Sequence, residues 1–208
     1  MTRFNQVGTI IGKRGTGKSL FVLGSKNSAK AEDQKLNIPG LFDTQIKNGF
    51  KIFIVDTLDH PLYRKIPLIK PDQISKFKKG TCRAFMAPDK IRKLVGYINQ
   101  TPSFNNTFII FEDAGKYTES KLPSEFKRLI ADSKQRNIDI LFMYHCWADT
   151  PLDVFRKGLD YIQLFKTEDK PLVRKNNLNL YELIEQTHQR INNNPNRFYT
   201  ELIDTSTN

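Results

Sequence analysis

Residues 7–19 constrain this chain more than any other segment. Val7, Gly8, Thr9, Ile10 and Ile11 form a short, largely apolar run, and Gly12, Lys13, Arg14, Gly15, Thr16, Gly17, Lys18 and Ser19 follow it directly. The run reads as a buried strand, and residues 17–25 read as the helix after the loop. Glycines at the turns let successive backbone N–H groups point into one concavity that holds an anion. The start of the helix adds its positive end. The spacing is the G-x-x-x-x-G-K-[ST] pattern of a phosphate-binding loop. In such a loop Lys18 reaches the β- and γ-phosphates and the Ser19 hydroxyl binds Mg²⁺, with Gly12, Lys13, Arg14, Gly15, Thr16, Gly17, Lys18, Ser19 and Leu20 as the nucleotide-binding set. A Gly-rich turn without a ligand is the plain alternative. The strand and helix context argues against it.

The rest of the chain alternates in the same way. Further strands are expected at Lys51–Asp56, 81–86, 108–111, Ile138–Tyr144 and 161–165, with helices at 88–99, 125–135 and 180–191. Pro61 and Pro67 make 59–67 irregular. The expected fold is α/β, a mostly parallel central sheet with helices on both faces. All 208 residues are expected to form one domain, with a core of about 5–166, a helical and turn extension at 170–203 and a frayed tail at 204–208. Ligands of such sheets bind at the C-terminal ends of the strands.

Those ends carry chemistry. Glu112 and Asp113 follow the strand at 108–111. Paired carboxylates there suit a triphosphate hydrolase, one acid on the metal side and one on the attacking water. By position Glu112 is the metal-side acid, with Ser19, and Asp113 the water-side base. The usual order is Asp then Glu, so the split of roles stays open. His145, after the strand Ile138–Tyr144, is the candidate contact to the γ-phosphate or the water. Phosphoryl transfer gains from an inserted arginine, often a neighbouring subunit's. Arg136 and Arg156 are the candidates. The N-K-x-D and D-x-x-G patterns of a GTPase are absent from suitable places.

The net charge is +11, and residues 64–93 hold ten basic side chains against two acids, Asp72 and Asp89. A solvated lysine-rich face and a track for a phosphate backbone both fit this surplus. No apolar run reaches 18 residues, so no membrane insertion is expected. The N-terminus lacks the apolar core of a signal peptide. Cys82 and Cys146 lack metal-ligand spacing and fit a reducing, cytoplasmic setting.

The order of phosphate loop, apolar strand ending in two acids, and a helix leading through Arg136, Asn137, Ile138 and Asp139 into a strand with a polar end resembles the FtsK–HerA superfamily of P-loop DNA pumps. Within it the chain is similar to the genome-packaging ATPases of tailless, membrane-containing viruses, and next to the Zot-like phage assembly ATPases. Where that superfamily usually has Thr-Gln, this chain has Tyr144 and His145, so His145 takes the sensor place. The segment from Pro151 to Arg156 with the strand after it resembles the family's closing strand. The resemblance covers about 7–165 and implies a RecA/ASCE-like P-loop NTPase fold. It also implies ATP and Mg²⁺, a homo-oligomeric ring (pentamer or hexamer), an arginine supplied from the neighbour, and double-stranded DNA in the channel. A virion vertex or portal protein and a location in host cytoplasm or on the virion follow from the same resemblance. A Zot-like extrusion ATPase, a small-molecule phosphotransferase and a nucleotide-binding scaffold are the alternatives.

Overall fold

The computed structural model describes residues 5–27, 31–35, 38–118, 121–156, 159–171 and 178–205. Its strands are β1 (Val7–Ile11), β2 (Lys51–Asp56), β3 (Thr81–Phe85), β4 (Thr107–Phe111), β5 (Ile138–Tyr144), β6 (Tyr161–Leu164) and β7 (Glu201–Asp204). Its helices are α1 (Lys18–Leu23), α2 (Ala31–Gln34), α3 (Leu41–Lys47), α4 (Pro88–Gln100), α5 (Gly115–Thr118), α6 (Ser124–Arg136), α7 (Leu152–Arg156) and α8 (Leu178–Asn193). The sheet order is β3-β2-β4-β5-β1-β6-β7. The first six strands pair parallel, and β7 runs antiparallel along β6.

Side chains alternate along each strand, so each face of the sheet buries its own set. Val55, Phe111, Phe142 and Ile140 point to one face, where Ile91, Leu94 and Ile98 of α4, Phe126 and Leu129 of α6, and Ile184 of α8 cover them. Ile54, Ile110, Leu141 and Met143 point to the other, under Val22 and Leu23 of α1 and Phe42 of α3. Both faces are apolar, which is why the strands read as near-continuous apolar runs. The expected helices on both faces are present.

The sequence reading marked none of α2, α3, α5, α7 and β7. The helix α3 fills a stretch where no element was expected, and its single buried residue, Phe42, gives little periodic signal. At the other end Asp204 is not frayed. It pairs with Tyr161 in β7, and the Thr205 N–H donates to Asp160 O at 2.9 Å. A four-residue edge strand with one buried side chain, Ile203, is too short to stand out as a pattern. Residues 206–208 of the expected tail lie outside the described residues. Among the described residues no helix is long and apolar enough to cross a membrane.

Candidate active site

Strand register sets the site. Ile11 pairs with Tyr144, Phe111 with Phe142, and Val55 with Phe111. The residues after these positions therefore line one edge of the sheet, its C-terminal edge. They are the loop 12–19, His145, Glu112 with Asp113, and Asp56.

The loop is held from both flanking strands. The Gly12 N–H donates to Tyr144 O at 3.2 Å and the Lys13 N–H to Lys166 O at 2.8 Å. Thr16, buried, donates its hydroxyl back to Lys13 O at 2.8 Å and so closes the turn. Gly15 and Gly17 stand at φ of 79° and 96°, the left-handed region that favours glycine. Gly17 caps α1 without a side-chain hydrogen bond, which leaves the first N–H groups of the helix to a ligand. Arg14 is exposed, Leu20 is buried, and Lys13 pairs with the exposed Glu168 at 3.1 Å.

Lys18 folds back into this ring. Its ammonium donates to Gly12 O, to Lys13 O at 3.0 Å and to His145 Nδ1 at 3.3 Å. Burial lowers its pKa to about 8, against the opposing pull of Glu112 and Asp113. His145 Nε2 lies 2.5 Å from Asp113 Oδ1, and Lys116 Nζ lies 3.0 Å from Asp113 Oδ2. His145 therefore joins the loop lysine to the second acid.

The two acids have opposite environments. Burial pushes Glu112 up to about 7, although the hydroxyl of Tyr63 donates to it. Asp113 is also buried, but His145 and Lys116 outweigh the desolvation and hold it down to about 2. Its backbone takes φ of 49°, a left-handed conformation that Asp and Asn tolerate better than most residues. The turn carries Asp113 toward His145 while Glu112 stays on the Tyr63 side.

One arginine singled out in the sequence does not face this edge. Arg136 ends α6 at the opposite end of the sheet. Its guanidinium donates to Ile98 O at 2.9 Å, Thr101 O at 2.8 Å and Phe104 O at 2.7 Å. It closes the C-terminal end of α4, away from the phosphate loop of its own chain. Arg83, counted in the basic stretch, is buried, and its Nη1 reaches Asp56 Oδ2 at 3.0 Å and Asp59 Oδ1 at 2.8 Å. It cannot face a phosphate backbone. The other nine basic side chains of 64–93 are exposed. Arg156 ends α7, and its side chain lies outside the described residues.

Sequence reading missed Tyr63, Asp56 and Lys116. Asp56 carried a signal, an acid at a strand end. Tyr63 carried none, since it lies in a short 3-10 turn (Pro61–Tyr63) far upstream of Glu112.

Oxygen donors at Ser19 and Glu112 suit Mg²⁺, a hard ion that keeps waters and shares substrate phosphates instead of needing a full protein cage. Among the described residues no cluster of three or more His, Cys, Asp or Glu could hold a metal alone. The residues fit an ion that completes its shell from phosphates and water.

A loop after β1, one strand (β5) between it and the acid-bearing β4, and helices on both faces define the P-loop NTPase fold. The structure is similar to the genome packaging NTPase B204 from Sulfolobus turreted icosahedral virus 2 in complex with ATP-gammaS. The TM-score is 0.70 at 12% identity, over 99% of this chain and 95% of that one. It is similar also to B204, the DNA-packaging ATPase from Sulfolobus Turreted Icosahedral Virus, with a TM-score of 0.66 at 13% identity over 98% and 95% of the two chains. The pCW3 conjugation coupling protein TcpA, with ATPgS, matches at a TM-score of 0.58 and 10% identity, over 97% of this chain and 58% of that one. At such identities the likeness is one of fold. No protein-family profile matches the sequence, and no curated protein does.

Proposed function

We propose that this chain hydrolyses ATP to drive double-stranded DNA, as a viral genome-packaging motor. The observation that carries the reading is the meeting of Lys18, Glu112, Asp113 and His145 at one sheet edge, around a loop that leads into the uncapped first turn of α1. The fold likeness to packaging ATPases and the exposed basic side chains of 64–93 support its direction toward DNA.

The backbone of the loop 12–19 cradles the phosphates. Lys18 leaves its carbonyls for the β- and γ-oxygens, and the phosphate charge restores the proton affinity that burial removed. Ser19 and Glu112 hold Mg²⁺, which when bound neutralises charge on the β- and γ-phosphates. Asp113, held near 2, is a poor proton acceptor, so it orients the attacking water. His145, touching both Lys18 and Asp113, reports the γ-phosphate. Arg156, supplied to a neighbour's site within a pentameric or hexameric ring, is the remaining candidate for the stabilising cation. The ring would sit at a virion vertex or portal, in host cytoplasm or on the particle.

The test is ATP turnover with and without duplex DNA, for the wild type, Glu112→Gln and Asp113→Asn. Duplex should stimulate the wild type, and each variant should lose about 100-fold or more in kcat. Asn suits the left-handed position, so Asp113→Asn keeps the turn. Duplex that neither binds nor stimulates at moderate salt removes the translocase reading. Wild-type rates in both variants remove the site.

A further inference from the structure

We infer that Tyr63 positions the metal-side carboxylate. This rests on the reading of Ser19 and Glu112 as the Mg²⁺ side of the site. Tyr63 is fully buried, and its hydroxyl donates to Glu112 Oε1. One oxygen of Glu112 is thus committed to the phenol, and Oε2 is left for a water on the metal. A carboxylate tied at one oxygen has lost the rotation that would scatter the other.

The phenol is itself fixed from below. Asp56, at the end of β2, accepts from the Leu58 and His60 N–H groups, each at 3.0 Å. His60 caps the 3-10 turn, and its ring lies 5.3 Å from that of Tyr63. Arg83 clamps Asp56 and Asp59 together. Tyr63 is therefore the tip of a braced arm, built from β2 and β3, that reaches across to an acid on β4. Groups that orient a metal ligand in this way typically carry 10- to 100-fold in metal affinity.

The experiment is Mn²⁺ titration, read by electron paramagnetic resonance, with a non-hydrolysable ATP analogue and Tyr63→Phe beside the wild type. Phenylalanine keeps the ring and removes only the hydroxyl. Tyr63→Phe should weaken Mn²⁺ by about 10- to 100-fold while analogue affinity without metal stays at the wild-type value. In a Glu112→Gln background the same substitution should add nothing, because the phenol acts through Glu112. Unchanged Mn²⁺ affinity overturns the proposal. So does an equal loss of metal-free binding, which marks a structural role, and so does full additivity with Glu112→Gln. A wild type whose analogue binding ignores Mn²⁺ removes the underlying reading of Ser19 and Glu112.

Discussion

Glu112 is a carboxyl whose environment favours its neutral form. Its pKa stands at about 7 in the folded chain against 4.5 for the free side chain, because burial outweighs the bond from Tyr63. Between these values the folded protein binds more protons than the unfolded one. Its contribution to stability is therefore full below about pH 4.5, falls as pH rises, and is gone above about pH 7. The shift corresponds to about 3 kcal/mol. His60 and His188, lowered by burial, slope the other way, so the difference between two proteins is the clean reading. Without nucleotide or metal, Glu112→Gln should gain about 2–3 kcal/mol on the wild type between pH 5 and pH 7.5, measured by urea unfolding. Equal pH slopes would contradict the buried, uncompensated carboxyl. Asp113 does not intrude, since its contribution is lost only as pH falls toward 2. The phosphate loop and both acids were legible in the sequence because their spacing or strand-end position is itself the chemistry. Tyr63 was not, because contact across strands leaves no trace in local order.

Elements were legible where burial imposes a period. The helix α4 shows Ile91, Leu94, Val95 and Ile98 on one face, and its apolar stripe marks it at once. The helix α3 and the edge strand β7 bury too little to do so. Arg136 belongs to this scale. An arginine just before a strand that leads to the site is far from the site, because a parallel strand delivers only its C-terminal end there. Three carbonyls at the end of α4 depend on its guanidinium instead. Arg136→Ala leaves those half-buried acceptors without their charged donor and places no gap near the loop. It should cost about 2–3 kcal/mol in denaturant unfolding. Turnover per folded molecule should stay at the wild-type rate. A stable variant with a large loss of kcat would return Arg136 to the catalytic set.

Across the whole molecule, part of the surplus charge lies at the catalytic edge. The site lies at the C-terminal ends of β1, β4 and β5, and α4 starts from the C-terminal end of β3 in the same sheet. Lys90 and Lys93, in the first turns of α4, are exposed there, and among the described residues neither has an ion pair with an acid. Lys93 Nζ lies over the ring of Tyr97, 5.9 Å from its centroid. Lys134 is equally exposed but sits in the last turn of α6, at the far edge beside Arg136. A phosphate backbone gripped at the catalytic edge would be sensed by the first pair and not by the third residue. Each lysine that displaces a counterion contributes about one unit to the slope of log affinity against log salt. Lys90→Ala with Lys93→Ala should therefore reduce that slope by about two for duplex DNA of any sequence, followed by fluorescence anisotropy across a salt series. DNA-independent ATP turnover should be unchanged, and Lys134→Ala should leave the slope as it was. Equal effects from all three lysines would mean that the surplus charge acts as a diffuse field, and that the edge beside the nucleotide is not where the duplex is held.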